Sequence, residues 1–378
     1  MQQGRPALAS PTVAAMSDPR QAMGVDIEAL QAFSGLVWGY KQGQMVAFMI
    51  ELGDRLGYYR EMDGAGPLSA DELAERSGTH PRWALEWLRS QAAAKLVTYL
   101  DDDGVDRFAL SPIGALVLAR EGEVTFASAA MQLPRPPEFP ERLVEAFRTG
   151  IGLSYDDLGV ECAHHVERML GPWAKALLVP AVLPALDGVQ AKLERGARVA
   201  DVGCGAGLVL ELLGSAFPAS TFHGYDLSQY AVDAARTRCA AAGLSNVEVF
   251  RARGEELPQG GGYDLVLTFD CIHDMVRPDL TIAAIRGALR EDGTWLCKDI
   301  RSNASFADNL RNPMLATMYA SSIVTCMSSA MSEPGGLGLG TLGFNPVVAE
   351  RMARDAGFGR FVTHDFPDPA NIYYEVRP

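Results

Sequence analysis

Hydrophobic and polar positions change their period along this chain, and the changes divide it. From Asp26 to about Met62, Leu30, Phe33, Val37, Met45, Phe48, Met49, Leu52 and Leu56 recur at helical spacing and predict two successive apolar helices. Between 67 and 120 the segments shorten. Ser69 and Glu72 form a capping box before a helix over 71–76, Gly78 ends it, and Pro81 sits in the first turn of a helix carrying Trp83, Leu85, Trp87, Leu88, Ala92 and Leu96. Residues 96–100 and 107–110 then flank a turn at Asp101, Asp102, Asp103 and Gly104, which predicts a hairpin and, with the helices before it, a winged helix. Residues 121–195 read as mostly helical, with Pro134, Pro136, Pro137 and Pro140 marking a loop near their start. Thereafter strands near 197–202, 221–226, 246–250, 263–269 and 294–300 alternate with helices near 207–215, 228–242 and 277–290, and 359–364 and 372–376 supply a late pair. This alternation predicts an α/β, doubly wound parallel sheet. The expected organisation is a disordered tail over 1–25, a helical and winged-helix domain over 26–120, a helical linker and cap over 121–195, and a sheet domain over 196–378 with an insert at about 301–345.

Composition narrows what such a chain can do. Its 378 residues, 48% hydrophobic, suffice for two domains with cores of their own. A formal charge of −14 and an acidic isoelectric point oppose general polyanion binding. The wing tip presents three adjacent carboxylates, and the would-be recognition helix has Glu86 with only Arg82, Arg89 and Lys95 as cations. A phosphate backbone would be repelled, so dimer building and pocket lining are the expected roles of this domain rather than nucleic-acid binding. The six cysteines, at 162, 204, 239, 271, 297 and 326, are scattered singly and suit reduced thiols. Neither a transmembrane run nor a signal peptide is evident, and a cytoplasmic location is expected. His164 and His165 invite a metal reading, but helix neighbours point about 100° apart, and no metal is expected there.

Candidate chemistry centres on 198–207, a strand running into a glycine turn and then a helix. Gly203, Gly205 and Gly207 do not match the spacing of a dinucleotide fingerprint. A second acid, Asp226, closes the next predicted strand 25 residues after Asp201, where a carboxylate can accept both ribose hydroxyls of a nucleoside. The acidic-x-Gly-x-Gly-x-Gly pattern of Asp201, Gly203, Gly205 and Gly207 resembles that of class I methyltransferases. Together with the N-terminal arrangement, it covers most of the chain and is similar to bacterial two-domain enzymes related to the small-molecule O-methyltransferases. The resemblance implies a seven-stranded Rossmann-like sheet, S-adenosylmethionine as cofactor with S-adenosylhomocysteine as product, and a homodimer built through the N-terminal domain. It further implies that the glycine turn, Cys204 included, lies beside the methionine portion, that Tyr225, Asp226 and Leu227 face the ribose, and that the turn at Arg253, Gly254 and Glu255 holds the adenine. Arg253 stands where the family often has Asp, a departure that leaves backbone groups or Glu255 to make that contact. The linker would close over the cofactor and bring Tyr155 and His165 to it.

The strand ending at Phe269 delivers Asp270, Cys271, His273 and Asp274 to the carboxyl edge of the sheet. Asp270 and Cys271 are expected beside the cofactor. His273 followed by Asp274 resembles the His-Asp element whose histidine deprotonates an acceptor hydroxyl; whether Asp274 orients His273 is left open by their adjacency. Methyl transfer needs an aligned nucleophile and removal of its proton, and imidazole suits that task. The insert, with Met314, Met318, Tyr319, Met327 and Met331, offers an adaptable apolar wall for a small, largely apolar or aromatic acceptor. Two other readings stay open: methylation of carbon or nitrogen on the same fold, and a cofactor-sensing winged-helix regulator without turnover.

Overall fold

Capping places the helices after Ser69 and His80 where the sequence puts them, but the two apolar helices expected over 26–62 are one long helix and a short one, Tyr58–Met62. The structure, a computed structural model, describes residues 25–132, 136–260 and 262–378; Pro134 and the expected tail before Val25 lie outside the described residues. The chain divides into two compact units, residues up to 61 with 65–110, and residues 62–64 with 111–378. In the first, a single 29-residue helix, Ile27–Arg55, is capped by Asp26, whose carboxylate accepts the Ala29 N–H. Helix Ala70–Ser77 opens on the Ser69–Glu72 capping box and ends at Gly78 in the left-handed region, φ 67°. Helix Pro81–Ala93 follows, then hairpin strands β1 (Thr98–Asp102) and β2 (Val105–Ala109), with the turn closed by the Gly104 N–H on Asp101. Trp87, wedged between Tyr58 and Tyr59, donates its indole N–H to the Met49 carbonyl and fastens the long helix to this core.

The second unit is built on a seven-stranded sheet. Its strands are β3 (Arg198–Val202), β4 (Thr221–Asp226), β5 (Val247–Arg251), β6 (Tyr263–Phe269), β7 (Leu289–Ile300), β8 (Arg360–His364) and β9 (Asn371–Arg377). They lie in the order β5-β4-β3-β6-β7-β9-β8. The first five are parallel, and β9 joins β7 and β8 antiparallel. Both faces are covered: Val199, Leu265, Leu267, Phe269 and Leu296 meet one layer, and Ala200, Val202, Val266, Trp295 and Cys297 the other. Burial on both sides explains why these strands read as near-continuous apolar runs. β7 starts earlier than expected, because the preceding helix stops at Ala288 and Leu289 already pairs with Tyr263.

The strand order reverses at β3 and β6, so chain leaving their carboxyl ends opens a crevice where ligands of such sheets bind. Above it, helix Glu161–Trp173 continues as a π-helical stretch, Ala174–Val182, that holds Pro180 in its interior. The insert contributes helices Phe306–Asn309, Leu315–Ser321 and Met327–Ala330, with a π-helical turn, Ser322–Cys326, between the last two.

Candidate active site

The glycine turn after β3 combines two packing glycines with one open one. A Cβ on Gly203 would stand 2.8 Å from the Cys271 side chain, and one on Gly207 would stand 2.7 Å from the Cβ of Ala235 in helix Gln229–Ala241. Gly205 faces open space at φ 52°, leaving room for a ligand against bare backbone. The Gly203 and Cys204 amides are held by the Tyr225 carbonyl, and Gly205 donates to Asp226 Oδ2 at 2.9 Å. Asp226 Oδ1 accepts from Ser228, also at 2.9 Å. Each carboxylate oxygen is thus anchored by one amide and keeps accepting capacity for a pair of ligand hydroxyls. Behind it, Asp201 is buried and its Oδ2 has no hydrogen-bond partner among the described residues. Burial first, then the Asp226 charge, pushes the Asp201 carboxyl up to about 7. Asp156 carries a further buried oxygen without such a partner, and its charge reaches Asp226. Open backbone, an anchored acceptor pair and unsatisfied buried carboxylate oxygens together fit a ligand that carries vicinal hydroxyls and positive charge.

At the neighbouring strand end, His273 is 2% exposed and its Nδ1–H donates to Asp299 Oδ1 at 2.7 Å. Burial works to lower its pKa, but Asp299 and Cys326 outweigh burial and carry it well above the ordinary histidine value. The orienting carboxylate is therefore Asp299, at the end of β7, and not the adjacent Asp274. Asp274 instead accepts the Tyr155 hydroxyl at 2.7 Å, fastening the turn Tyr155–Leu158 of the linker to the strand end. Burial raises the Asp274 carboxyl to about 7, against the pull of His273 and Tyr155.

Other anticipated residues turn elsewhere. Asp270, at φ 52°, is ion-paired to the buried Lys298 and accepts from Asn371 Nδ2 at 2.5 Å. Lys298 also lies 4.4 Å from the centre of the Trp173 ring, so this charge pair is structural and the Asp270 carboxylate is committed within the protein. The Tyr225 hydroxyl pairs with that of Tyr263 at 2.7 Å, inside the layer, and its ring stacks on Phe250. The Cys204 side chain packs toward Gly224, leaving its backbone for the turn. The Cys271 thiol bonds the Val202 carbonyl at 3.2 Å. Leu227 is half-exposed, and its carbonyl accepts from Arg251 at 3.2 Å. Arg253 pairs with Glu333 of the insert and lies 3.8 Å from Glu255, while Gly254 is packed against Thr281. The buried His165 is held neutral, its pKa lowered to about 4 by burial, Arg168 and His164. An open groove of about 900 Å³, lined by His164, Glu167, Ala206, Tyr230 and Arg238, touches the turn only at Ala206 and none of its walls carries His273 or Asp299.

Sequence reasoning missed Asp299 and Cys326. Asp299 was within reach, since it ends a predicted strand at the same sheet edge as Phe269. Cys326 carried no signal, because only the fold of the insert brings it to His273.

Comparison with known proteins agrees with this architecture. A family model described as a methyltransferase domain matches residues 200–295, and one described as an Rv2258c-like winged HTH domain matches residues 44–120. A ubiquinone biosynthesis O-methyltransferase of Neisseria meningitidis is 29% identical over 129 residues, 33% of this chain and 52% of that protein, so the chain spans about half the length of this curated relative. Among solved structures, the mitomycin 7-O-methyltransferase MmcR superposes with a TM-score of 0.66 at 20% identity, covering 93% of this chain and 99% of that one. Human N-acetylserotonin methyltransferase, solved with S-adenosylmethionine, gives 0.65 at 16% identity over 92% and 97%. The chain thus joins a winged helix-turn-helix domain to a class I methyltransferase domain, in the fold of the two-domain O-methyltransferases.

Proposed function

We propose that the protein transfers the methyl group of S-adenosylmethionine to a hydroxyl of a small, largely apolar or aromatic acceptor, with His273 as general base. The observation that carries this reading is the buried His273–Asp299 pair at the carboxyl edge of β6 and β7, beside the glycine turn and Asp226. When bound, S-adenosylmethionine supplies a methyl group on a positively charged sulfur, activated for in-line displacement. The chain's own residues supply the rest. Asp226 accepts the ribose hydroxyls, Gly205 leaves room beside the turn, and the buried Asp201, whose ionisation burial and Asp226 oppose, would be favoured in its charged form beside a cation. Asp299 holds the His273 ring with Nε2 turned to the acceptor, so that the hydroxyl proton passes to Nε2 and the imidazolium is stabilised by Asp299. Tyr155 on Asp274 holds the linker over the strand end and excludes water. Residues 26–120 serve dimerisation, supported by the exposed apolar side chains of helix Ile27–Arg55, and the protein works in the cytoplasm.

Calorimetric titration with S-adenosylmethionine tests the cofactor: saturable binding is expected in the wild type and at least about tenfold weaker binding in Asp226→Asn. Turnover on a panel of phenolic acceptors, lost by roughly a hundredfold or more in His273→Ala with cofactor binding retained, tests the base. Failure of the folded wild type to bind the cofactor would overturn the reading. A His273→Ala enzyme with full turnover would move the methylated atom from oxygen to one that needs no deprotonation.

A further inference from the structure

The glycine turn owes its shape to partners outside it, because Gly203, Gly205 and Gly207 all take positive φ and by themselves restrain the backbone little. The Gly203 and Cys204 amides are held by the Tyr225 carbonyl, and the Gly205 amide by Asp226. The next peptide is held by a side chain: Arg238 Nε donates to the Ala206 carbonyl at 3.0 Å. Arg238 stands three residues after Ala235 in helix Gln229–Ala241, on the same face, and Ala235 is the residue against which Gly207 packs. That face of the helix is the floor under the second half of the turn.

The rest of the guanidinium is engaged as well. Nη1 donates to Glu211 Oε2 at 2.7 Å, in helix Leu208–Ala216, which leaves the turn. Nη2 donates to Glu167 Oε1 in the linker helix Glu161–Trp173. One side chain thus serves the turn, the helix after it and the linker at once, which a planar fork allows and an ammonium group does not. Glu167 is the most enclosed of the group, its side chain 16% exposed. Two carboxylates therefore converge on a single cation beside the turn. Without that cation they repel each other, and the linker helix is pushed away from the turn. The linker has a separate tie beside the base, where Tyr155 donates to Asp274.

We infer that Arg238 is a positioning residue for the cofactor, locking the linker helix onto the glycine turn so that S-adenosylmethionine and its product are retained. This rests on the methyltransferase reading above. Arg238 acts through the Ala206 carbonyl and through Glu167. Its loss raises the dissociation constants of both S-adenosylmethionine and S-adenosylhomocysteine. The His273–Asp299 pair is anchored by β6 and β7 and keeps its geometry, so the effect falls on the KM for cofactor and not on kcat at saturation.

The test uses the full chain, with Arg238→Met, Arg238→Lys, Glu167→Gln and the double variant Arg238→Met/Glu167→Gln, and reads the Kd of both ligands by calorimetry. Binding is expected to weaken about tenfold in Arg238→Met and about threefold in Glu167→Gln. Arg238→Lys does not restore it. The double variant binds more tightly than Arg238→Met alone, because removing one carboxylate relieves the repulsion, a rescue that lost packing would not give. Should Arg238→Met fail to fold, Glu167→Gln carries the test, since it keeps the bonds to Ala206 and Glu211. On a competent acceptor, the KM for cofactor rises in parallel and kcat stays within about twofold. Without cofactor, amides of the linker helix exchange hydrogen faster in Glu167→Gln than in the wild type. Wild-type affinity for both ligands in Glu167→Gln, or a fall in kcat with unchanged Kd, would overturn the inference. Absence of cofactor binding by the folded wild type would instead overturn the methyltransferase reading, and this inference with it.

Discussion

Asp201 and His273 are both buried and titratable, but their surroundings send them in different directions. Asp201 lacks a counter-charge, and its pKa lies near 7 in the folded state against 3.8 for a free side chain. A carboxyl raised in this way favours the folded state below pH 4, and that contribution is lost as pH rises toward 7, because the unfolded chain ionises first. Asp201→Asn should therefore flatten the decline between pH 4 and 7, a difference of about 2 to 4 kcal/mol readable from urea midpoints across that range. His273 has the counter-charge that Asp201 lacks. Replacing Asp299 by Asn should lower the His273 pKa, so the acidic limb of the pH–rate profile moves to lower pH while the maximal rate falls by roughly a hundredfold. The His-Asp pair singled out His273, but not its carboxylate partner Asp299. Adjacent residues point apart, and the real contact joins strands that become neighbours only in the sheet, where Phe269 pairs with Lys298 beside Asp299.

At the scale of elements, most of the sheet could be read from period and punctuation, because buried parallel strands leave apolar runs and the turns between them leave glycines. The early start of β7 could not be read, since Leu289 to Gly293 has no strand pattern and is drafted by its pairing with Tyr263. The glycine turn was legible as a turn from strand to helix, but its division of labour was not: Gly203 and Gly207 are required by packing, and Gly205 faces the open space. Gly207→Ala combines a left-handed φ of 80° with a clash against Ala235 and should cost about 2 to 4 kcal/mol in denaturant unfolding. Gly205→Ala meets no neighbour and should cost about 1 kcal/mol for its φ, while weakening cofactor affinity more than stability.

For the molecule as a whole, helix Ile27–Arg55 leaves Phe33, Leu36, Val37, Trp38, Tyr40 and Phe48 exposed, a concentration of apolar surface of the kind that marks an interaction site. Sedimentation should show a dimer that Phe33→Asp with Trp38→Asp weakens at least about tenfold, leaving cofactor affinity in place. The acceptor was not legible at this scale, because linker, strand ends and insert meet around His273 from positions far apart in the chain. One of the ties among them reaches past structure. Arg253 and Glu333 join the turn after β5 to the insert through side chains about one-third and two-fifths exposed, within reach of dissolved ions. Salt should loosen that clasp while leaving the buried His273–Asp299 pair intact, so ionic strength would act as a dial on substrate tolerance, widening the range of acceptors admitted without changing the chemistry done to them.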